Sequence, residues 1–227
     1  MTRDTVIPLM FDPDGETKPD IEGTAFLVWF QNRTFLVTAR HCVENRLRQG
    51  WMPTFASEPI PIKVDHLFAP NHVAGEEDDS RSDIAIFEID ESQNPHSPIL
   101  RLPRISLDQS SPEGLELSPG DKVRVIGFPE QATEEPADYV IVSNEVCFNG
   151  VIDSACQRYE WKIGFDPQTV PCDLQNMSGS PVFRFSQDAK QCDLVGILTR
   201  GQRASGVAFF IDVAILRWAL NDICCQV

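Results

Sequence analysis

Over most of the 227-residue chain, apolar positions fall in short runs bounded by Gly, Pro and Asn. Runs of about four to eight residues rich in Val, Ile, Phe and Thr predict strands. They occur at 24–30, 34–38, 60–67, 84–89, 122–127, 138–148, 161–165, 180–185, 194–199 and 207–211. Helical spacing emerges only at the end, where Val213-Ala-Ile-Leu-Arg-Trp-Ala-Leu220 carries apolar residues three and four apart. Asp212 directly before it is suited to cap the helix N-terminus. The chain has no internal repeat and no heptad pattern. Regularly spaced strands followed by one helix predict an all-β architecture, an antiparallel sandwich or a pair of barrels. Between residues 89 and 122, Pro95, Pro98, Pro103, Pro112 and Pro119 mark the connection between two lobes.

Charge narrows the functional classes by exclusion. Nineteen basic against 34 acidic side chains give a formal charge of −15, which repels a phosphate backbone and argues against a nucleic-acid partner. No apolar run approaches the roughly 20 residues that span a bilayer, so no membrane role is expected. The first residues, Met1-Thr-Arg-Asp-Thr-Val-Ile-Pro8, lack the apolar region of a secretory signal. Seven cysteines in that context read as reduced thiols of a cytoplasmic protein rather than as a disulfide framework. Cys147 and Cys156 flank a predicted hairpin that would let them approach one another. His41, His66, His72 and His96 do not sit at metal-ligand spacing with the cysteines, so neither a metal nor a cofactor is expected. The acidic run Gly75-Glu-Glu-Asp-Asp-Ser80 reads as a solvated loop, with calcium binding as the sharper alternative.

Candidate chemistry lies in three segments. Phe35-Leu-Val-Thr-Ala-Arg-His41-Cys42 is an apolar strand ending in a histidine, and Ser82-Asp83-Ile-Ala-Ile-Phe87 sets an aspartate at the mouth of another. Asn176-Met-Ser178-Gly-Ser-Pro-Val182 places a serine in a tight turn before a third. Each alone has an ordinary structural reading, as a strand-end histidine, a capping aspartate and a common loop. In the order His–Asp–Ser they resemble a chymotrypsin-fold, trypsin-like serine protease.

The resemblance extends to Gly23-Thr-Ala-Phe-Leu-Val28, to Pro119-Gly-Asp-Lys-Val-Arg-Val-Ile-Gly-Phe-Pro129, to Leu194-Val-Gly-Ile-Leu-Thr-Arg-Gly201 and to Gly206-Val-Ala-Phe-Phe-Ile-Asp-Val213. In style these motifs are closest to the bacterial glutamyl-endopeptidase and HtrA-like branches. The resemblance implies two antiparallel six-stranded β-barrels packed face to face, followed by a short C-terminal α-helix. The barrels would occupy about 15–110 and 116–212 and the helix about 213–222 of one peptidase domain. It further implies Ser178 as nucleophile, His41 as general base and Asp83 as the group that orients the imidazole. The backbone N–H groups of Asn176 and Ser178 would form the oxyanion hole.

Two departures bear on control. Asn176 stands where the family usually has Gly, and Met177 where it usually has Asp or Asn. Asn tolerates positive φ better than most residues, but a flipped peptide there would close the oxyanion hole. The activation sequence of the digestive relatives is also absent, so activity is either constitutive or controlled otherwise, as by a regulatory protein partner that orders the loop. A silent pseudoprotease that binds proteins is the alternative.

By the same resemblance, Cys172 and Asp173 fall at the floor of the specificity pocket, Thr199, Arg200 and Gly201 on its wall, and Gly206 at its open side. Asp173 would favour a basic residue at P1, the substrate position on the acyl side of the cut. An apolar pocket floored by Cys172, or an acidic preference set by Arg200 or Arg203, remains open.

Overall fold

A computed structural model describes residues 5–11, 20–49, 52–55, 58–68, 83–108, 116–129, 145–157, 159–185 and 192–225. The acidic run 75–80 and residues 138–144 of one predicted strand lie outside them.

The N-terminal lobe is an eight-stranded sheet. Its strands are β1 (Val6–Phe11), β2 (Asp20–Phe30), β3 (Arg33–Thr38), β4 (Pro53–Phe55), β5 (Glu58–Pro59), β6 (Ile62–Phe68), β7 (Ala85–Ile89) and β8 (Ile105–Ser106). They run in the order β5-β4-β1-β2-β3-β7-β6, with β8 alongside β2. The C-terminal lobe is a closed six-stranded barrel. It comprises β9 (Lys122–Gly127), β10 (Val146–Gln157), β11 (Glu160–Gly164), β12 (Pro181–Phe185), β13 (Cys192–Gln202) and β14 (Val207–Asp212). Among the described residues there are two α-helices, the short α1 (Glu44–Arg48) and the C-terminal α2 (Val213–Cys225).

Why β2, β3 and β7 read as continuous apolar runs follows from their position. Ala25 and Leu27 of β2, Leu36 of β3 and Phe87 of β7 pack into the interior of the N-terminal lobe. The alternate residues Phe26, Val28, Phe35, Val37 and Ile86 face a second cluster, with Ile126, Phe183 and Ile197 of the other lobe and Leu216, Ala219 and Leu220 of α2. Side chains alternate between faces along a strand, so a strand buried on both faces shows no polar alternation. A third cluster, including Val123, Phe148, Ile163, Leu198 and Phe210, fills the closed barrel.

The predicted cap forms. Asp212 Oδ1 accepts the Ala214 N–H at 2.8 Å at the start of α2, and its Oδ2 accepts the Trp161 indole N–H at 3.1 Å. One carboxylate therefore caps the helix and ties it to β11.

Three expectations need correction. The N-terminal lobe is a curled half-barrel rather than a closed six-stranded barrel, because its path ends at β5 and β6, which do not pair with each other. β5 is only two residues long, and its Pro59 has no N–H to extend a ladder. The strand predicted at 138–148 is β10, which starts at Val146 and continues through Asn149-Gly150 to Gln157. Gly150 serves packing there rather than turning, since a Cβ at that position would lie 2.3 Å from Ile163 Cγ2 on β11. Cys147 and Cys156 consequently lie nine positions apart on one strand, about 30 Å along it at the usual rise. They do not approach one another, and none of the seven cysteines forms a disulfide.

Candidate active site

Sheet register brings His41 to Asp83. β3 and β7 pair antiparallel with Thr38 opposite Ala85, so the residues just after β3 meet those just before β7. Beyond Thr38 the chain turns through a short 3-10 helix, Arg40–Cys42. The carbonyl of Asp83 accepts the Arg40 N–H at 3.3 Å. Its Oδ1 accepts the His41 backbone N–H at 3.0 Å, and its Oδ2 lies 2.7 Å from His41 Nδ1. In the neutral imidazole this arrangement puts the proton on Nδ1 and leaves Nε2 as the ring acceptor. His41 is half exposed, at 52 % of its side chain, against 22 % for Asp83. The hydrogen bond to Asp83 raises the imidazole above its ordinary value of 6.5, outweighing the partial burial that lowers it.

Ser178 is held on a turn that is pinned to the other lobe. Met177 N–H donates to Leu174 O at 3.1 Å and Ser180 N–H to Met177 O at 3.1 Å, closing the turn. Thr24 of β2 donates its N–H to Ser178 O at 2.8 Å and its hydroxyl to Asn176 O at 3.2 Å. Asn176 Nδ2 donates to Ile21 O at 2.6 Å. Asn176 adopts φ 66°, so the residue in the family's glycine position keeps the left-handed backbone that the turn needs. Met177 is wholly buried in the core of the closed barrel, so the side chain next to Ser178 serves packing.

Gly179 is the tightest point of the turn, at φ 87°. A Cβ there would sit 2.0 Å from Thr24 O and 2.4 Å from Thr38 Oγ1. Gly179→Ala is therefore expected to lower unfolding stability by about 2–5 kcal/mol, combining left-handed strain with overpacking. Urea unfolding against wild type measures this, and a change below about 1 kcal/mol would show that the lobes part easily here.

These groups border a cleft of about 400 Å³ lined by Glu22, His41, Asp83, Leu174, Gln175, Asn176, Ser178, Thr199, Arg200 and Gly201. Two features of its chemistry stand out. Among the described residues, neither the Asn176 N–H nor the Ser178 N–H donates a hydrogen bond, leaving two adjacent backbone donors open. The Ser178 hydroxyl, for its part, donates to Thr199 O at 2.7 Å and forms no hydrogen bond with His41.

Of the residues expected at the pocket, Thr199, Arg200 and Gly201 border the cleft, while Cys172, Asp173 and Gly206 are not among its lining residues. Asp173 is exposed, and its Oδ1 accepts the N–H of the next residue, Leu174, at 2.8 Å. Cys172 is half-buried, and burial pushes its thiol up. Gly206, at φ 65°, ends the short 3-10 helix Arg203–Ser205. Arg200 stacks over Phe209, 4.4 Å from the ring centre, with Nη2 2.8 Å from the buried Glu160 carboxylate. Arg203 Nε donates to Pro167 O at 3.2 Å.

Sequence reasoning missed Glu22, Leu174 and Gln175 in the cleft and Thr24 as the pin. Leu174 carried a signal, being a lone large apolar residue in the polar loop Cys172-Asp-Leu-Gln-Asn176. Thr24 carried none, since a threonine that opens a strand is unremarkable until its partners are known.

Fold and site together match a known class. The family model for the trypsin-like peptidase domain matches residues 23–197. The chain belongs to the trypsin-like peptidase family, and its closed barrel, curled half-barrel and C-terminal helix form a chymotrypsin-like fold. No curated protein matches the chain.

Proposed function

We propose that the chain is a serine endopeptidase that hydrolyses peptide bonds through an acyl-enzyme on Ser178, with His41 as base and Asp83 as orienter. The observation that carries this reading is the convergence of the Asp83–His41 pair, Ser178 and two open backbone donors on one cleft. Ser178 Oγ attacks the substrate carbonyl carbon while its proton passes to His41 Nε2. The oxyanion that forms is received by the N–H groups of Asn176 and Ser178. The C–N bond then breaks, and the proton on Nε2 goes to the leaving amine. Water, deprotonated by the same nitrogen, attacks the ester and releases the acid. Asp83 keeps its charge throughout and stabilises the transient imidazolium.

The hydrogen bond from Ser178 to Thr199 O favours a second reading, a silent module whose serine is turned away from its base. Magnitudes decide between the two. A neutral hydrogen bond contributes about 1 kcal/mol net, which lowers the competent population by only about fivefold. A rotation about the serine χ1 that exchanges this bond for one to His41 is thus compatible with catalysis.

A fluorophosphonate probe tests the proposal. Folded wild type is expected to form a stoichiometric adduct, located on Ser178 by peptide mass spectrometry. No adduct on the folded protein overturns the constitutive enzyme and leaves the binding module.

A further inference from the structure

Every residue that could set a charged preference at P1 is otherwise engaged. Asp173 faces solvent and holds the Leu174 N–H. Arg200 is stacked on Phe209 and faces Glu160, while Arg203 is bound to Pro167 O. What occupies the corresponding space is hydrocarbon.

The position of a P1 side chain follows from three constraints. Its carbonyl carbon must reach Ser178 Oγ, and its carbonyl oxygen must reach the open N–H groups of Asn176 and Ser178. Its backbone must then run beside β13, whose pairing with β12 ends at Pro181 opposite Ile197. From Thr199 to Gly201 no strand pairs with that edge among the described residues, where Thr199 O takes the Ser178 hydroxyl, and it borders the cleft. A P1 side chain is thereby directed between loop 174–176 and Gly201.

That gap is closed by Leu174. Leu174 is only 4 % exposed and belongs to the core of the closed barrel, together with Val170 and Ala208. A Cβ added to Gly201 would lie 2.6 Å from Leu174 Cδ1 and 3.2 Å from Ala208 Cβ. The leucine tip is therefore pressed against the bare backbone of Gly201, and Ala208 backs the same point from β14. Of the charged groups that border the cleft there, Glu22 is already paired with Arg46 and Arg200 with Glu160.

We infer that Leu174 is a specificity-determining stopper that restricts P1 to small uncharged side chains such as Ala, Ser or Gly. This assignment rests on the peptidase reading above and replaces the basic preference expected for Asp173. A side chain longer than valine would have to displace a core leucine, and an ionised one would be desolvated without a partner.

Peptidyl diphenyl phosphonates carrying Ala, Val, Leu, Phe, Arg or Glu at P1 test it, with second-order rates of labelling as the readout. In wild type, the Ala probe is expected to react at least about 100-fold faster than the Phe, Arg and Glu probes, the scale on which pockets reject oversized or unpaired groups. Leu174→Ala is expected to raise the rates of the Leu and Phe probes about tenfold or more relative to that of the Ala probe. Leu174→Val, a smaller truncation, is expected to give an intermediate gain and covers the case in which the alanine variant does not fold.

Fastest labelling of wild type by the Arg, Glu or Phe probe overturns the assignment and leaves the peptidase reading standing. So does an unchanged profile in a folded Leu174 variant. No labelling of any protein by any probe overturns both.

Discussion

Ser178→Ala and His41→Ala are each expected to lower kcat by about 10⁶-fold, and the double variant to be no worse than either alone. A serine hydroxyl without its base is hardly more nucleophilic than water, and a base without its nucleophile has nothing to activate. Removing either therefore removes the whole covalent route. Neither side chain lies between loop 174–176 and Gly201, so KM should stay within a few-fold of wild type. Steady-state hydrolysis of a peptide with Ala at P1 measures both quantities. The cycle also examines the bond from Ser178 to Thr199 O. If that bond were the working geometry, Ser178 and His41 would act independently and their losses would multiply.

Asp83→Asn is expected to lower kcat by about 10⁴-fold with the fold intact. The reason lies in how the two carboxylate oxygens are used. Oδ1 takes the His41 backbone N–H at 3.0 Å, and Oδ2 lies 2.7 Å from Nδ1. An asparagine keeps its amide oxygen on the backbone N–H, which places its NH₂ against the ring. That donor requires an unprotonated Nδ1, so the proton moves to Nε2 and the base can no longer accept one from Ser178.

The pH profile of the same pair of proteins follows from the raised pKa of His41. Only neutral imidazole serves as base, so wild-type kcat/KM should rise with pH through a midpoint above 6.5. Without the carboxylate the charged form loses its stabilisation, and the midpoint of the residual activity in Asp83→Asn should fall. A profile that does not shift would mean that Asp83 does not govern His41.

Ser178→Ala, His41→Ala and Asp83→Asn leave the tertiary frame untouched, and much of that frame was legible in the chain. The runs that became β2, β3 and β7 announced themselves by largely unbroken apolar character, because burial on both faces removes the polar alternation that would blur them. Asp212 was legible as a cap because an N-cap bond is local, made to a residue two positions on. β1 escaped notice because Pro8 interrupts it; β1 nevertheless pairs with β2 from Val6 to Phe11. The extent of β10 escaped because a glycine reads as a turn until the close approach of Ile163 is known.

The candidate site divides in the same way. Which residue types stand at strand ends, and in what order, is a one-dimensional property, and His41, Asp83 and Ser178 could be singled out from it together with the family. That His41 and Asp83, 42 residues apart, lie within hydrogen-bond distance depends on the β3–β7 register.

The pocket was less legible, since its residues come from a loop whose side-chain directions are set by contacts made elsewhere. Asp173 turns outward because its carboxylate closes on the next N–H, and Leu174 turns inward because the barrel core has room for it. The outward turn of Asp173 is invisible in those five residues of loop sequence, in which only Leu174 stands out as a lone large apolar residue.

By itself, then, the sequence determined a β-rich chain and a terminal capped helix, and it offered three candidate catalytic side chains at strand ends, all read from neighbours close along the chain. Only the tertiary structure decided that one lobe closes and the other curls, that Thr24 pins the nucleophile turn, and that a leucine rather than an aspartate meets the cleft. Those outcomes depend on contacts between residues far apart in the chain, from Leu174 with Gly201 to Thr24 with Ser178, which no local pattern encodes.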